Sequence, residues 1–303
     1  MYLVDWNFWH HIFKTKKGRS LERWALRQIH ADIFLWDLAE EIKKISGTKY
    51  SLELSSIWID GTPQAHGVAR SNNVKCELAD LLYIIEEHDS NSSVINKKAL
   101  LLQGKNTYKF NKIDSGSSTH KERALFEKLD RSKALVLKSG VQNHARTIGS
   151  YILGGALSEG LLDCAKFLLM PKNKFWSNKS PHLFPFHVTW TKNEKSADME
   201  VGVSLGEAAL NMVTSSEIGK PVIDPKICEW SRLVTDLENG YTGVTMKGYG
   251  GQKRINSSSA HVSTLLVDDQ GYLSHYLNEN EQITENMPFI SIVKVKIFDR
   301  RKY

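Results

Sequence analysis

Apolar residues recur along the chain in two distinct periods. From GRSLERWALRQIHADIFLWDLAEEIKKI, Leu21, Trp24, Leu26, Ile29, Ile33, Trp36, Leu38 and Ile42 fall at helical spacing. Ser20 stands where an N-cap belongs, and SGTK ends the run, so one long amphipathic helix is predicted. YSLELSSIWI then alternates and is rich in β-branched residues, the pattern of a strand. CELADLLYII and KALLLQGK are near-continuous apolar runs and predict strands buried on both faces. The turn-rich DGTPQAHG precedes them and the polar EEHDSNSSVINKK separates them. THKERALFEKLD predicts a short amphipathic helix, and KALVLKSG a fourth strand. The predicted order over residues 18–140 is therefore α-β-β-β-α-β.

Beyond this the pattern predicts shorter pieces. YILGGAL, CAKFLLM, PFHVTW, STLLVDD and ISIVKVKIF read as strands, and SLGEAALNMVTSSE and DPKICEWSRLVTDLENG as helices. With no repeat and no low-complexity linker, the chain is expected to comprise an α/β core over residues 1–145 and a mixed α/β region over 146–303. The latter is a candidate for substrate binding, partner binding or self-association. KGYGGQKR and INSSSAH are expected to be surface loops.

Composition narrows the class. At 303 residues, 41% hydrophobic and 24% charged, the chain is that of a globular protein. It nowhere has eighteen consecutive apolar residues, so no membrane span is expected, and MYLVDWNFWHHIFK lacks the basic-then-apolar order of a signal peptide. Cys76, Cys164 and Cys228 are odd in number and far apart, which points to a reducing cytoplasm. The net charge is +6, and residues 1–150 hold all of it, with 23 Lys/Arg against 17 Asp/Glu. Such a surplus suits an anionic polymer.

Candidate chemistry gathers at the ends of the two apolar strands. Gln103 and Lys105 are two apart and share a face, with Gly104 leaving room on the other. If the strands pair as a hairpin, Asp80 converges with them. A carboxylate and an amide carbonyl are ligands that Mg²⁺ or Mn²⁺ accepts, and a neighbouring lysine can stabilise charge on a phosphate. Glu22 in the first helix is placed to complete the set. The alternative is a buried Asp80–Lys105 ion pair, which needs no glutamine.

These residues together resemble the PD-(D/E)XK nuclease superfamily. The Gln-x-Lys version is similar to restriction endonucleases of the Mrr type and to nuclease modules of bacterial antiphage systems. The Gly18–Glu22 spacing is similar to that of the archaeal Holliday junction resolvases. The resemblance covers about residues 18–140. It implies a restriction-endonuclease-like core with a central mixed sheet, metal binding by Glu22, Asp80 and Gln103, and catalytic assistance by Lys105. The implied activity is Mg²⁺- or Mn²⁺-dependent endonucleolytic cleavage of DNA, in defence or restriction. A second copy or a defence-system protein is a candidate partner. The stretch between Glu22 and Asp80, with WIDGTPQAH, is longer than in compact members.

Other signals carry rival readings. Glu77, three residues before Asp80, faces the opposite side of a straight strand unless a bulge redirects it. Asp60 and His66 read as surface loop positions or as substrate contacts. GVSLG (202–206) matches a nucleophile elbow, with Asp236 and His261 downstream, but Ser204 and Glu207 also form a capping box. GYGGQKR lacks the ending of a P-loop. Trp6, Trp9, Trp24 and Trp36 read mainly as core, with base stacking the alternative. A non-catalytic nucleic-acid-binding module of nuclease fold is the remaining class.

Overall fold

The structure is a computed structural model, and it describes residues 20–46, 50–59, 63–139, 146–172, 176, 185–194, 196–215, 217–238, 261–267, 273–277 and 288–299. The first helical stretch divides in two, α1 (Ser20–Gln28) and α2 (Asp32–Ser46). The expected single helix breaks because His30 turns inward, its Nδ1 2.5 Å from Ser56 Oγ and its ring 5.2 Å from that of Trp58. The Ala31 carbonyl then accepts the Phe34 and Leu35 amides and starts α2.

Nine strands form the main sheet: β1 (Tyr50–Trp58), β4 (Leu81–His88), β5 (Val94–Thr107), β8 (Ala165–Pro171), β9 (His187–Thr189), β10 (Lys220–Pro221), β11 (His261–Val267), β12 (Leu273–Leu277) and β13 (Ser291–Asp299). Their order is β12-β11-β1-β13-β4-β5-β8-β9, with β10 paired to β5. The sheet is mixed. β4 and β5 are antiparallel, whereas β5–β8 and β13–β4 are parallel. Strands from both sides of residue 145 pair in it: β1, β4 and β5 with β8, β11 and β13.

A second sheet of four strands has the order β3-β2-β6-β7, from β2 (Gln64–Ala69), β3 (Asn72–Glu77), β6 (Leu135–Lys138) and β7 (Thr147–Tyr151). Here the structure corrects three expectations. The stretch expected as a turn-rich loop is half strand, and CELADLLYII is split at Leu78–Asp80 between the two sheets. KALVLKSG is also not the fourth strand of the core. The strand that joins β5 in the main sheet is β8 instead. Burial explains the exchange: Leu135 and Leu137 are buried while Val136 and Lys138 are half-buried, a one-faced pattern, whereas β8 is buried on both faces.

The helices α3 (Ser117–Lys128), α4 (Leu205–Thr214) and α5 (Glu229–Glu238) complete the layers. Leu26, Phe34, Leu38 and Ile42 of α1 and α2, with Leu205, Ala209 and Met212 of α4, pack on Leu81, Tyr83, Leu100 and Leu102 of the main sheet. Leu125 and Phe126 of α3, Trp230 and Leu233 of α5, and the second sheet pack on Leu82, Ile84, Leu101 and Phe167 of its other face. Covered on both sides, β4 and β5 must be apolar in succession. The polar linker expected between them is mostly strand, and the turn is Asp89–Ser93, where Asp89 Oδ1 accepts the amides of Asn91 and Ser93. Cys76, Cys164 and Cys228 are free. Among the described residues, no helix is long and apolar enough to cross a membrane.

Candidate functional site

The site arises from a mismatch in strand length. β4 begins at Leu81, opposite Leu102, while β5 runs on to Thr107 with only β8 beside it. Past Leu102, the edge of β5 that faces away from β8 has no strand among the described residues to receive its amides. Two carboxylates receive them instead. Asp80 Oδ2 accepts the Gly104 amide at 2.8 Å, and Glu22 Oε2, from α1, accepts the Asn106 amide at 3.0 Å. Both backbone donors are thereby satisfied, as burial requires.

Asp80 Oδ2 also accepts from Gln103 Nε2 at 2.5 Å. Both bonds to Asp80 thus use one oxygen. With its amide nitrogen committed, Gln103 keeps only its carbonyl, and Oε1 is buried with no hydrogen-bond partner among the described residues. The same holds for Asn106 Oδ1. Gln103 is 1% exposed, so an unmet acceptor there carries a real desolvation cost.

Gly104 fits this arrangement. A Cβ there would stand 3.0 Å from Leu26 Cδ2, 3.0 Å from Met170 Cε and 3.3 Å from Asp80 Oδ2. A side chain at this position would press α1 and Asp80 away from β5.

On the opposite face of β5, Lys105 Nζ lies 2.6 Å from Glu122 Oε2 of α3. The expected ion-pair alternative, Asp80 with Lys105, is therefore not the direct contact: the lysine pairs with a glutamate that strand-based reasoning did not single out. Burial alone would lower the Lys105 pKa, but the charges of Glu122, Glu22 and Asp80 outweigh it and raise it. Lys105 is a fixed cation. Burial, and then the charges of Glu77 and Glu22, hold the Asp80 carboxyl well above its ordinary range, and Lys105 only partly opposes them.

The structure thus brings Glu22, Asp80, Gln103 and Lys105 into one region and adds Glu122 and Glu77 to it. Glu77 ends β3, and the break at Leu78–Asp80 keeps its charge close to Asp80, where a straight strand would have separated them. The sequence signal for Glu122 is its place on α3: with Leu125 and Phe126 it lies on the buried side of that helix.

Asp80, Glu22 and the Gln103 carbonyl make an oxygen-only donor set, which suits a hard divalent cation. Among the described residues, no three His, Cys, Asp or Glu side chains are grouped as a ready cage. The fit to a cation rests on the buried, unpartnered Gln103 Oε1 beside Asp80.

The rival sites do not assemble. Ser204 Oγ accepts the Glu207 amide at 3.1 Å, and Glu207 Oε2 accepts the Ser204 amide at 2.9 Å. Ser204 is buried and its backbone, at φ −70 and ψ 170, is unstrained, unlike the exposed serine of a nucleophile elbow. Asp236 is committed to the Tyr151 hydroxyl at 2.7 Å, and His261 lies opposite Trp58 in the sheet. His66 lies on β2, not in a loop. Trp24 and Trp36 pack against the core beneath α1 and α2. Asp60, Gly18, Trp6, Trp9 and KGYGGQKR lie outside the described residues, as does INSSSAH except His261. No family model matches the chain, and no curated protein or solved structure matches it.

Proposed function

We propose that the protein is a metal-dependent phosphodiesterase, an endonuclease acting on DNA. The observation that carries this reading is the divided Gln103 amide, whose nitrogen is bound to Asp80 and whose buried oxygen has no partner. A divalent cation held beside Asp80 would give that oxygen the partner it lacks.

On this reading Asp80, Glu22 and the Gln103 carbonyl hold Mg²⁺ or Mn²⁺. The cation would polarise a phosphoryl oxygen and lower the pKa of a bound water. Lys105 remains protonated, so it serves as an electrostatic group and not as a base, stabilising the charge that develops on the phosphate. Glu122 positions it from behind. Glu77 adds negative potential, which favours the cation and disfavours a bare phosphate, so the cation binds first or together with substrate.

The topology supports a restriction-endonuclease-like core, read as α1/α2, β1, β4, β5, α3 and β8, with β13 inserted between β1 and β4. The setting in bacterial defence or restriction rests on the resemblance of the Gln-x-Lys motif alone. The second reading is a non-catalytic nucleic-acid-binding module. The 2.6 Å Lys105–Glu122 pair favours it, since it already neutralises the lysine. Plasmid DNA incubated with the purified protein, with Mg²⁺, Mn²⁺ or chelator, separates the two. Cleavage that needs the cation and is absent in a folded Lys105→Met, Glu122→Leu double variant supports the nuclease; metal-independent binding without cutting supports the module.

A further inference from the structure

The second sheet presents two unlike faces. Ala65, Val74, Cys76, Leu135 and Leu137 are buried against the core. The alternating positions, Gln64, His66 and Val68 on β2, Asn73, Lys75 and Glu77 on β3, and Val136 and Lys138 on β6, point the other way. Register sets them in two transverse rows. Glu77, Gln64 and Lys138 form one, and Lys75, His66 and Val136 the next. Lys75 is exposed, and His66 and Lys138 are half-buried.

The basic groups on this face act on one another. Partial burial and then the charges of Lys75 and Lys138 lower the His66 pKa. Across the sheet Lys75 stands beside His66, and Lys138 beside Gln64. Among the described residues Glu77 is the one acid on the face, and it lies at the rim where its charge acts on Asp80. Strand spacing puts β3 and β6 about 10 Å apart, and His66 stands about 7 Å along β2 from the row of Glu77. The width matches about three nucleotides of rise along one strand.

We infer that this face, through Lys75, His66 and Lys138, contacts the phosphates of a nucleic-acid strand as it leads into the site of Asp80, Gln103 and Lys105. The occupant is a polyanion because Lys75, His66 and Lys138 stand in adjoining rows of this face against one acid among the described residues. It is a nucleic acid because the row abuts a site proposed to act on phosphodiesters, and on that reading the inference rests. Phosphate contacts fix the register of a strand and are not sequence-specific. The face therefore positions the backbone and leaves discrimination to other residues.

The test uses the whole protein in chelator, with fluorescent duplex DNA, single-stranded DNA and RNA of equal length, and titrations across salt. Lys75→Gln, Lys138→Gln and the double variant are compared with wild type. Lys75 is exposed, so its replacement does not threaten the fold, and circular dichroism checks the others. The double variant is expected to bind more weakly, with the slope of log affinity against log salt reduced by about 1.8 on duplex or about 1.4 on single strands. In cleavage assays KM should rise with kcat retained. Whichever nucleic acid shows the larger slope change is the strand that lies here. Unchanged affinity and slope in variants of a wild type that binds and cuts would overturn the inference and leave the nuclease standing. Failure of wild type to bind any nucleic acid, or preference for a polyglutamate peptide, would overturn both.

Discussion

Asp80 and Gln103 meet through a single carboxylate oxygen, 2.5 Å from the amide nitrogen, and that same oxygen also takes the Gly104 amide. Asp80 is therefore held by β5 itself, and the Gln103 side chain is oriented by the residue with which it is proposed to share a cation.

Gln103→Glu would set two carboxylates against each other where an amide now donates. The metal-free variant is expected to unfold at lower temperature than wild type, by the equivalent of about 1–3 kcal/mol. Mg²⁺ or Mn²⁺ should close that gap, and cutting should be retained at lower metal concentration, because a full charge binds the cation more tightly. Gln103→Leu should lose cutting and be partly rescued by excess metal. Thermal shift and cleavage across a metal titration read both. A leucine variant that cuts normally would remove Gln103 from the site.

Lys105→Ala is expected to abolish cutting, but it also strands Glu122 in the interior. Breaking a buried pair from one side costs about 3–5 kcal/mol, so the single variant is a poor reporter of chemistry. Lys105→Met combined with Glu122→Leu removes both charges and should regain most of the stability. The double variant, folded by circular dichroism, should still fail to cut. Activity in it would make the pair structural only.

Much of this was legible in the residues. The apolar runs at Leu81–Ile85 and Ala99–Leu102 placed β4 and β5 because both are covered on two faces, and the spacing of Gln103 and Lys105 put them on one side. Asp80 and Gln103 do meet at 2.5 Å, and Asp80 and Glu22 take successive amides of the same strand, Gly104 and Asn106. The remainder depended on tertiary contacts that no local pattern encodes. The helix break at His30 follows from a hydrogen bond to Ser56, a residue of another element. The second sheet was hidden because Gln64–Ala69 carries turn residues and small side chains, and Leu135–Lys138 is too short for its alternation to say which sheet it joins. Glu122 looked like one more charge on an amphipathic helix until Lys105 was seen against it.

Ser204→Ala tests the remaining motif in the same spirit. Loss of the cap should cost about 1 kcal/mol in urea unfolding. Any nuclease activity should be unchanged. A folded variant with no activity would revive Ser204 as a nucleophile.

The ion network at the other end of the sheet gives a pH dependence. Glu86 lies 3.3 Å from Lys97 Nζ and 3.4 Å from Lys294 Nζ, and both lysines also reach Glu238. Burial alone would raise the Glu86 pKa, but the two ammoniums outweigh it and the carboxyl is lowered. A lowered carboxyl stabilises the fold above its unfolded value, about 4.3 for a glutamate. That contribution is lost as pH falls through the lower folded value. Glu86→Gln should therefore cost about 1–3 kcal/mol at pH 7, with Glu238 still serving both lysines. The difference from wild type should shrink below about pH 4. Urea unfolding at a series of pH values checks the sign; a gap that widens in acid would contradict it.

β13 lies between β1 and β4, with Ser291 paired to Leu81 across about two hundred residues of chain. During synthesis, then, the strand that starts just after Asp80 lacks its β13 neighbour until the chain beyond residue 291 has left the ribosome. Long-range pairing of this kind forms late. A nascent or prematurely terminated chain without β13 would hold Asp80, Gln103 and Lys105 without the sheet that sets their spacing, so on the proposed nuclease reading an unfinished copy would not cut.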